Sequence, residues 1–170
     1  MRIEIPFNEE VSRKQLQMLH DLAWKNKKYY WKNSIYLGLF FTLLGIAIVY
    51  GKSNLGYLFV FLGIIQLIGF FVYHYKSETL HRKLFEEFEA GKNTYIENPL
   101  SIWEFSENDL KFSLGKNSVS IVWGDFKTFK IIDNVIFIFT KTNQPYILSK
   151  EEVGDENFEK IVEVISHKIQ

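Results

Sequence analysis

Two uninterrupted apolar runs divide the chain. Residues 34–50 read SIYLGLFFTLLGIAIVY and residues 55–75 read LGYLFVFLGIIQLIGFFVYHY, with no Lys, Arg, Asp or Glu in either. At 1.5 Å per residue these lengths give helices of roughly 26 and 32 Å, close to the thickness of a bilayer's hydrocarbon layer. The four residues GKSN at 51–54 join them, so short a link that the two helices must run antiparallel. The competing reading is a pair of core helices in a soluble protein. A chain of 170 residues holds too little other mass to surround two helices that are apolar on every side. The first run starts at residue 34 and lacks a small-residue cleavage site, so it does not read as a cleaved signal peptide.

On both sides of this pair the pattern turns amphipathic. Before it, Leu16, Leu19 and Leu22 with Ala23 recur at helical spacing, and Asn8 stands where an N-cap would, followed by Glu9 and Glu10. After it, Leu80, Leu84 and Phe88 form an i, i+4, i+8 stripe, and Gly91 suits a C-terminal cap. Each apolar helix is therefore expected to continue outward, and the two extensions to pack as a stalk. GKNTYIENP then reads as the exit into a new domain.

From residue 100 the period changes to two. LSIWEFS, DLKFSL, SVSIVW, FKTFKII, VIFIFTK and QPYILS are six strand candidates separated by turn-rich pieces. SLGKNS lacks the spacing of a phosphate-binding loop and reads as a hairpin turn. Asp155 looks like an N-cap, and Phe158, Ile161, Val162, Ile165 and Ile169 share one helical face. The opening MRIEIPF also alternates and suits an edge strand. The expected fold is an α+β membrane protein: a two-helix transmembrane hairpin with cytoplasmic helical extensions, plus a small antiparallel β barrel or sandwich, pleckstrin-homology-like, closed by a C-terminal helix. The expected divisions are an N-terminal strand and amphipathic helix (1–33), spans at 34–50 and 55–75, a helical extension (76–92) and the strand domain (95–170).

Within the spans, Gly38, Thr42 and Gly45 fall on one face of the first helix, and Gly56, Gly63 and Gln66 on one face of the second. Small residues let membrane helices approach closely. Folding the hairpin about residues 52–53 places Thr42 near Gly63, with Gln66 expected to hydrogen-bond Thr42 or a neighbouring chain. One amide and no charge do not make a transport path.

Charge adds orientation. The formal net charge is zero, which gives no overall field toward nucleic acid. Residues 1–33 carry seven Lys/Arg against four Asp/Glu, and residues 100–170 eight against eleven. The stretch WKNKKYYWKN at 24–33 has aromatics among lysines, a pattern that also suits single-stranded nucleic acid. Its position directly before an apolar run favours the headgroup layer instead. Tyr29, Tyr30 and Trp31 suit that depth, with Lys27, Lys28 and Lys32 toward anionic lipid. Lysine and arginine gather outside both spans, while the hairpin tip has only Lys52. Both termini are therefore expected in the cytoplasm. There is no Cys, hence no disulfide and no thiolate metal site.

The segment VWGDFKTFKIIDNVIFIFTKTNQPYILSK (122–150) resembles the signature of the bacterial YcxB-like C-terminal domain. Trp123, Asp125, Asp133 and Lys150 fit its pattern, and Ser149 stands where that family usually has Pro. Two upstream spans match the family's layout. The resemblance implies a membrane-anchored, pleckstrin-homology-like domain, and it implies no known reaction. Trp123 and Asp125 are read as a packing anchor with a turn acid.

Chemistry is sparse. His74, Glu78 and His81 lie at i, i+4, i+7 and are the one metal candidate, set against an ordinary interfacial helix. No nucleophile motif is present, and no catalytic or cofactor-binding residue is assigned. The first hairpin loop of the strand domain, SENDL, is acidic, unlike a phosphoinositide site. The expected role is a non-enzymatic module that binds a protein partner at the inner membrane, with the lipid bilayer and other copies of the chain as further partners and no nucleic acid. An immunity protein against a bacterial toxin is the alternative within that class, and a metal-binding or lipid-responsive membrane protein the alternative outside it.

Overall fold

The computed structural model describes residues 1–169, the side chains of residues 25–32 apart. The chain divides into two compact units. Met1–Leu19 and Phe85–Gln170 make a strand unit, and His20–Leu84 a helical one. The two long helices, α1 (Glu9–Tyr50) and α2 (Leu55–Glu97), each contribute to both.

In the helical unit, α1 and α2 form an antiparallel hairpin, and both are long and apolar enough to cross a membrane. The apolar side chains mostly point away from the partner helix: Phe40, Leu43, Ile46, Leu58, Phe61, Ile65 and Ile68 are all exposed. Helix α1 ends in a Schellman motif. The Ser53 amide donates to Ile48 O and the Lys52 amide to Val49 O, with Lys52 in the left-handed region at φ 62°.

In the strand unit, β1 (Arg2–Pro6), β2 (Leu100–Phe105), β3 (Asp109–Leu114) and β4 (Asn117–Val122) form one antiparallel sheet in that order. The N-terminal strand pairs with β2, Ile3 opposite Trp103. A second sheet holds β5 (Phe126–Ile132), β6 (Val135–Thr140) and β7 (Pro145–Ser149). No ladder joins the two sheets among the described residues, so they face a shared core without closing into a barrel. The core includes Trp103, Phe105, Leu110, Ile136, Ile138 and Leu148. Central strand β6 is buried on both faces, and Phe137, pointing away from that core, is 0% exposed.

Two short helices follow. α3 (Lys150–Val153) packs against β1 and β7, and α4 (Asp155–Lys168) sends Phe158, Ile161 and Ile165 into the core. The α4 stripe expected from periodicity is the buried face, with Val162 at its margin. Its N-cap is Gly154, at φ 80°, and Asp155 is the first helical residue instead of the cap. The capping box lies one element earlier, between Ser149 and Glu152 at the start of α3.

At the other end of the chain Asn8 does cap α1: its Oδ1 accepts from the Glu10 amide at 3.0 Å and the Val11 amide at 3.3 Å. Gly91 ends nothing. Helix α2 runs through it to Glu97 and stops before Pro99, whose ring disfavours helix in the residue ahead. GKNTYIE is therefore helix, and a glycine inside it costs only about 1 kcal/mol relative to Ala.

Candidate interaction cleft

A cleft of about 370 Å³ lies wholly in the strand unit. Its floor is aromatic. Trp103 stands edge-on to Phe112 (5.1 Å between ring centres) on its own sheet and to Tyr146 (6.1 Å) on the other. Val119 and Ile147 continue the apolar lining. A second aromatic group comes from segments far apart in sequence. Phe7 stacks on Tyr95 at 5.1 Å and meets Phe88 at 6.4 Å, joining the chain before α1 to the last turns of α2. Burial pushes the phenols of Tyr95 and Tyr146 up, so both stay protonated hydrogen-bond donors at neutral pH.

The polar groups of the cleft are amides, hydroxyls and one carboxylate. That carboxylate, Glu152, already takes three donors on Oε2: the Gln15 side-chain amide, the Ser149 amide at 2.9 Å and the Ser149 hydroxyl at 2.8 Å. It is committed to the capping box and to holding Gln15. Beside the cleft, Glu9 accepts from Lys92 Nζ at 2.6 Å and Arg13 Nη2 at 3.0 Å, and Arg13 also reaches Glu89. Lys92 and then Arg13 hold the Glu9 carboxyl below its usual range. Arg13 lies over the Phe88 ring at 5.6 Å, so these charges and the aromatic group reinforce one junction.

Trp123 is buried and opens a 3-10 turn (Trp123–Asp125) between β4 and β5. Its indole N–H donates to Ser106 O at 3.1 Å, and its ring packs on Phe105 and Phe126. Asp125 is exposed, and its backbone carbonyl accepts from the Lys141 amide at 2.8 Å. Asp133 sits in the two-residue β5–β6 turn with Asn134, both left-handed at φ 48° and 63°. Asp133 and Lys150 line a second, polar cavity of about 300 Å³ with Lys14 and Asp155.

No family model, no curated protein and no solved structure matches this chain. The YcxB-like resemblance rests on residues 122–150 and the order of the parts.

The hairpin residues singled out from the sequence lie where the two helices touch. A Cβ on Gly45 would come within 2.6 Å of Val60 N and 2.7 Å of Gly56 O, and one on Gly63 would meet Thr42 Oγ1 and, at 2.6 Å, Thr42 N. Gly38 and Gly56 face the opposite helix as closely, at Leu67 and Val49. Gln66 does not bond Thr42. Its Oε1 accepts from Ser34 Oγ at 2.6 Å, two turns away, while Thr42 Oγ1 donates to Gly38 O on its own helix at 2.8 Å. Ser34, the first residue of the apolar run, is buried by this contact.

His74, Glu78 and His81 do not converge. His74 stacks on Phe70, His81 stands edge-on to His20, and no metal-holding group of three appears among the described residues. Lys27, Lys28, Tyr29, Tyr30, Trp31 and Lys32 lie outside the described side chains.

Sequence reasoning missed the cleft itself. Phe7, Gln15, Tyr95 and Glu152 carry no shared motif, and only the fold brings them to one place.

Proposed function

We propose that the chain is a non-catalytic interaction module, anchored by its hairpin in the bacterial inner membrane, whose cytoplasmic strand unit binds a protein partner. The observation that carries the anchor is the outward apolar surface of α1 and α2. Each large side chain such as Phe40, Leu43, Phe61 or Ile68 left in water forgoes about 1.5–3 kcal/mol of burial. A lipid environment removes that penalty. Lysines and arginines flanking the spans support cytoplasmic termini. Two antiparallel sheets of four and three strands, followed by a C-terminal helix, favour the pleckstrin-homology-like and YcxB-like reading of the strand unit.

The cleft supports the interaction role. Its aromatic floor suits an apolar side chain of a partner protein, and its one carboxylate already has three donors. Two experiments test the reading. Alkaline carbonate should leave the chain in the membrane pellet, and a C-terminal reporter should be active only on the cytoplasmic side. Release by carbonate, or an outward-facing reporter, overturns the anchor or its orientation. A photo-crosslinker at Gln144, on the cleft wall, should trap a discrete protein in native membranes, and Phe112→Asp should abolish that adduct. An adduct that survives Phe112→Asp places the partner elsewhere.

A further inference from the structure

The four sheet edges are protected very unequally. Edge strand β1 carries Arg2, Glu4 and Pro6, and α3 packs against it. On the second sheet, β5 carries Lys127, Lys130 and a register shift between Phe126 and Thr128, while β7 begins with Pro145 and also meets α3. Charges, prolines, bulges and covering elements are the usual means of blocking strand addition. Strand β4, NSVSIV, has none of these among the described residues. It contains no charge, no Pro and no bulge, and five of its six residues are exposed.

We propose that β4 is a homodimer edge, on which a second copy of the chain adds its own β4 antiparallel, with Ser120 on the two-fold axis. The ladder fixes which backbone groups are free. The two-residue turn Gly115–Lys116 makes Leu114 and Asn117 a hydrogen-bonded pair, and the alternation then directs the N–H and C=O of Ser118, Ser120 and Val122 away from β3. Apart from the Val122 carbonyl, which heads the 3-10 turn Trp123–Asp125 and keeps its second lone pair, these groups have no backbone partner among the described residues. Centring the pairing on Ser120 sets Ser120 against itself and Ser118 against Val122 of the other copy, so about six backbone hydrogen bonds form.

The side chains fit the same register. Ile3, Trp103, Phe112 and Val119 stand in one row across the first sheet, and Val119, at the open end, is 49% exposed. Phe105, Leu110 and Ile121 form the neighbouring row. Antiparallel pairing about Ser120 places Val119 of one copy beside Ile121 of the other, so each row continues into the other copy's row. On the opposite face Ser120 meets Ser120 and Ser118 meets Val122, and no like charges are opposed. The inference is independent of whether the hairpin lies in a bilayer.

The natural chain has no cysteine, which makes a direct test clean. Full-length protein in detergent carries Ser120→Cys and is oxidised mildly. Cα atoms of a hydrogen-bonded antiparallel pair lie about 5.5 Å apart, within disulfide reach. Ser118→Cys alone puts its two copies about 14 Å apart, out of reach. A mixture of Ser118→Cys and Val122→Cys chains should crosslink only as the heterodimer, and this pair leaves the Ser120 side chain intact. The expected result is Ser120→Cys crosslinking roughly tenfold above Ser118→Cys alone, a dimer by sedimentation for the unmodified chain, and a monomer for Ser120→Lys. Equal crosslinking at 118 and 120, a unmodified chain that sediments as a monomer, or a 120-specific adduct with a different protein would each overturn the proposal.

Discussion

The strand unit and the hairpin use the same kind of residue in opposite directions. In the strand unit Phe137, Ile138, Ile161 and Ile165 are fully buried, large side chains packed inward. In the hairpin the small residues face in and the large apolar ones face out. The first arrangement is driven by water leaving apolar surface. The second gains nothing from that term once its outer surface meets lipid, and depends on close packing and hydrogen bonds. A phenylalanine thus has a different worth in each unit, and a glycine does too.

The sharpest way to break this contrast is one substitution made twice. Phe137→Ala should cost about 3–5 kcal/mol, through lost burial and the cavity left behind. Phe61→Ala, at a position 60% exposed, should change hairpin unfolding by less than about 0.5 kcal/mol. Denaturant unfolding of the full chain in detergent reads both, and equal costs would erase the distinction. Next in size is Gly45→Ile. Its side chain has no space against Val60 and Gly56, so the helices must part, at about 1–3 kcal/mol. Faster amide exchange along 38–63, with the strand unit unchanged, is the expected signature.

Ser34→Ala removes the hydroxyl that donates across the hairpin to Gln66. The expected loss is about 0.6–1 kcal/mol by thermal unfolding, and Thr42→Val should not reproduce it by way of Gln66. The smallest effect belongs to acid. Glu9 is held low by Lys92 and Arg13, and Asp109 by hydrogen bonds from Ser106 and Ser120. A carboxylate with a depressed folded pKa adds stability that is fully present at neutral pH and fades as pH falls through that depressed value. Strand-unit stability should therefore decline on acidification below the usual carboxylate range. Glu9→Gln and Asp109→Asn should each flatten the decline.

What the sequence shows and what it hides divide along physical lines. Strand positions, the α4 stripe and the two apolar helices are written in local periodicity, and each appears within a residue or two of its expected place. Close helix approach at Gly45 and Gly63 was legible because size alone decides it. Details that depend on competition between near-equal options were not. Gly91 had the residue type of a cap, but the helix gained more by continuing to Glu97. Gln66 had two hydroxyls within plausible reach and took Ser34. The cleft was hidden for a stronger reason: Phe7, Tyr95, Trp103 and Tyr146 meet only after strand pairing, and no spacing in the chain encodes that meeting.

The pairing of β1 with β2 has a consequence for how the protein is made. Ile3 finds Trp103 only after the entire hairpin has been synthesised between them. At about 5–20 residues per second, the first strand waits roughly 5–20 s for its neighbour. During that interval its backbone is an unpaired edge, and Ile3 and Ile5, later buried, face water or a chaperone. Ile3 and Ile5 are therefore among the last residues to be secured, and the strand unit is completed by its N-terminal strand.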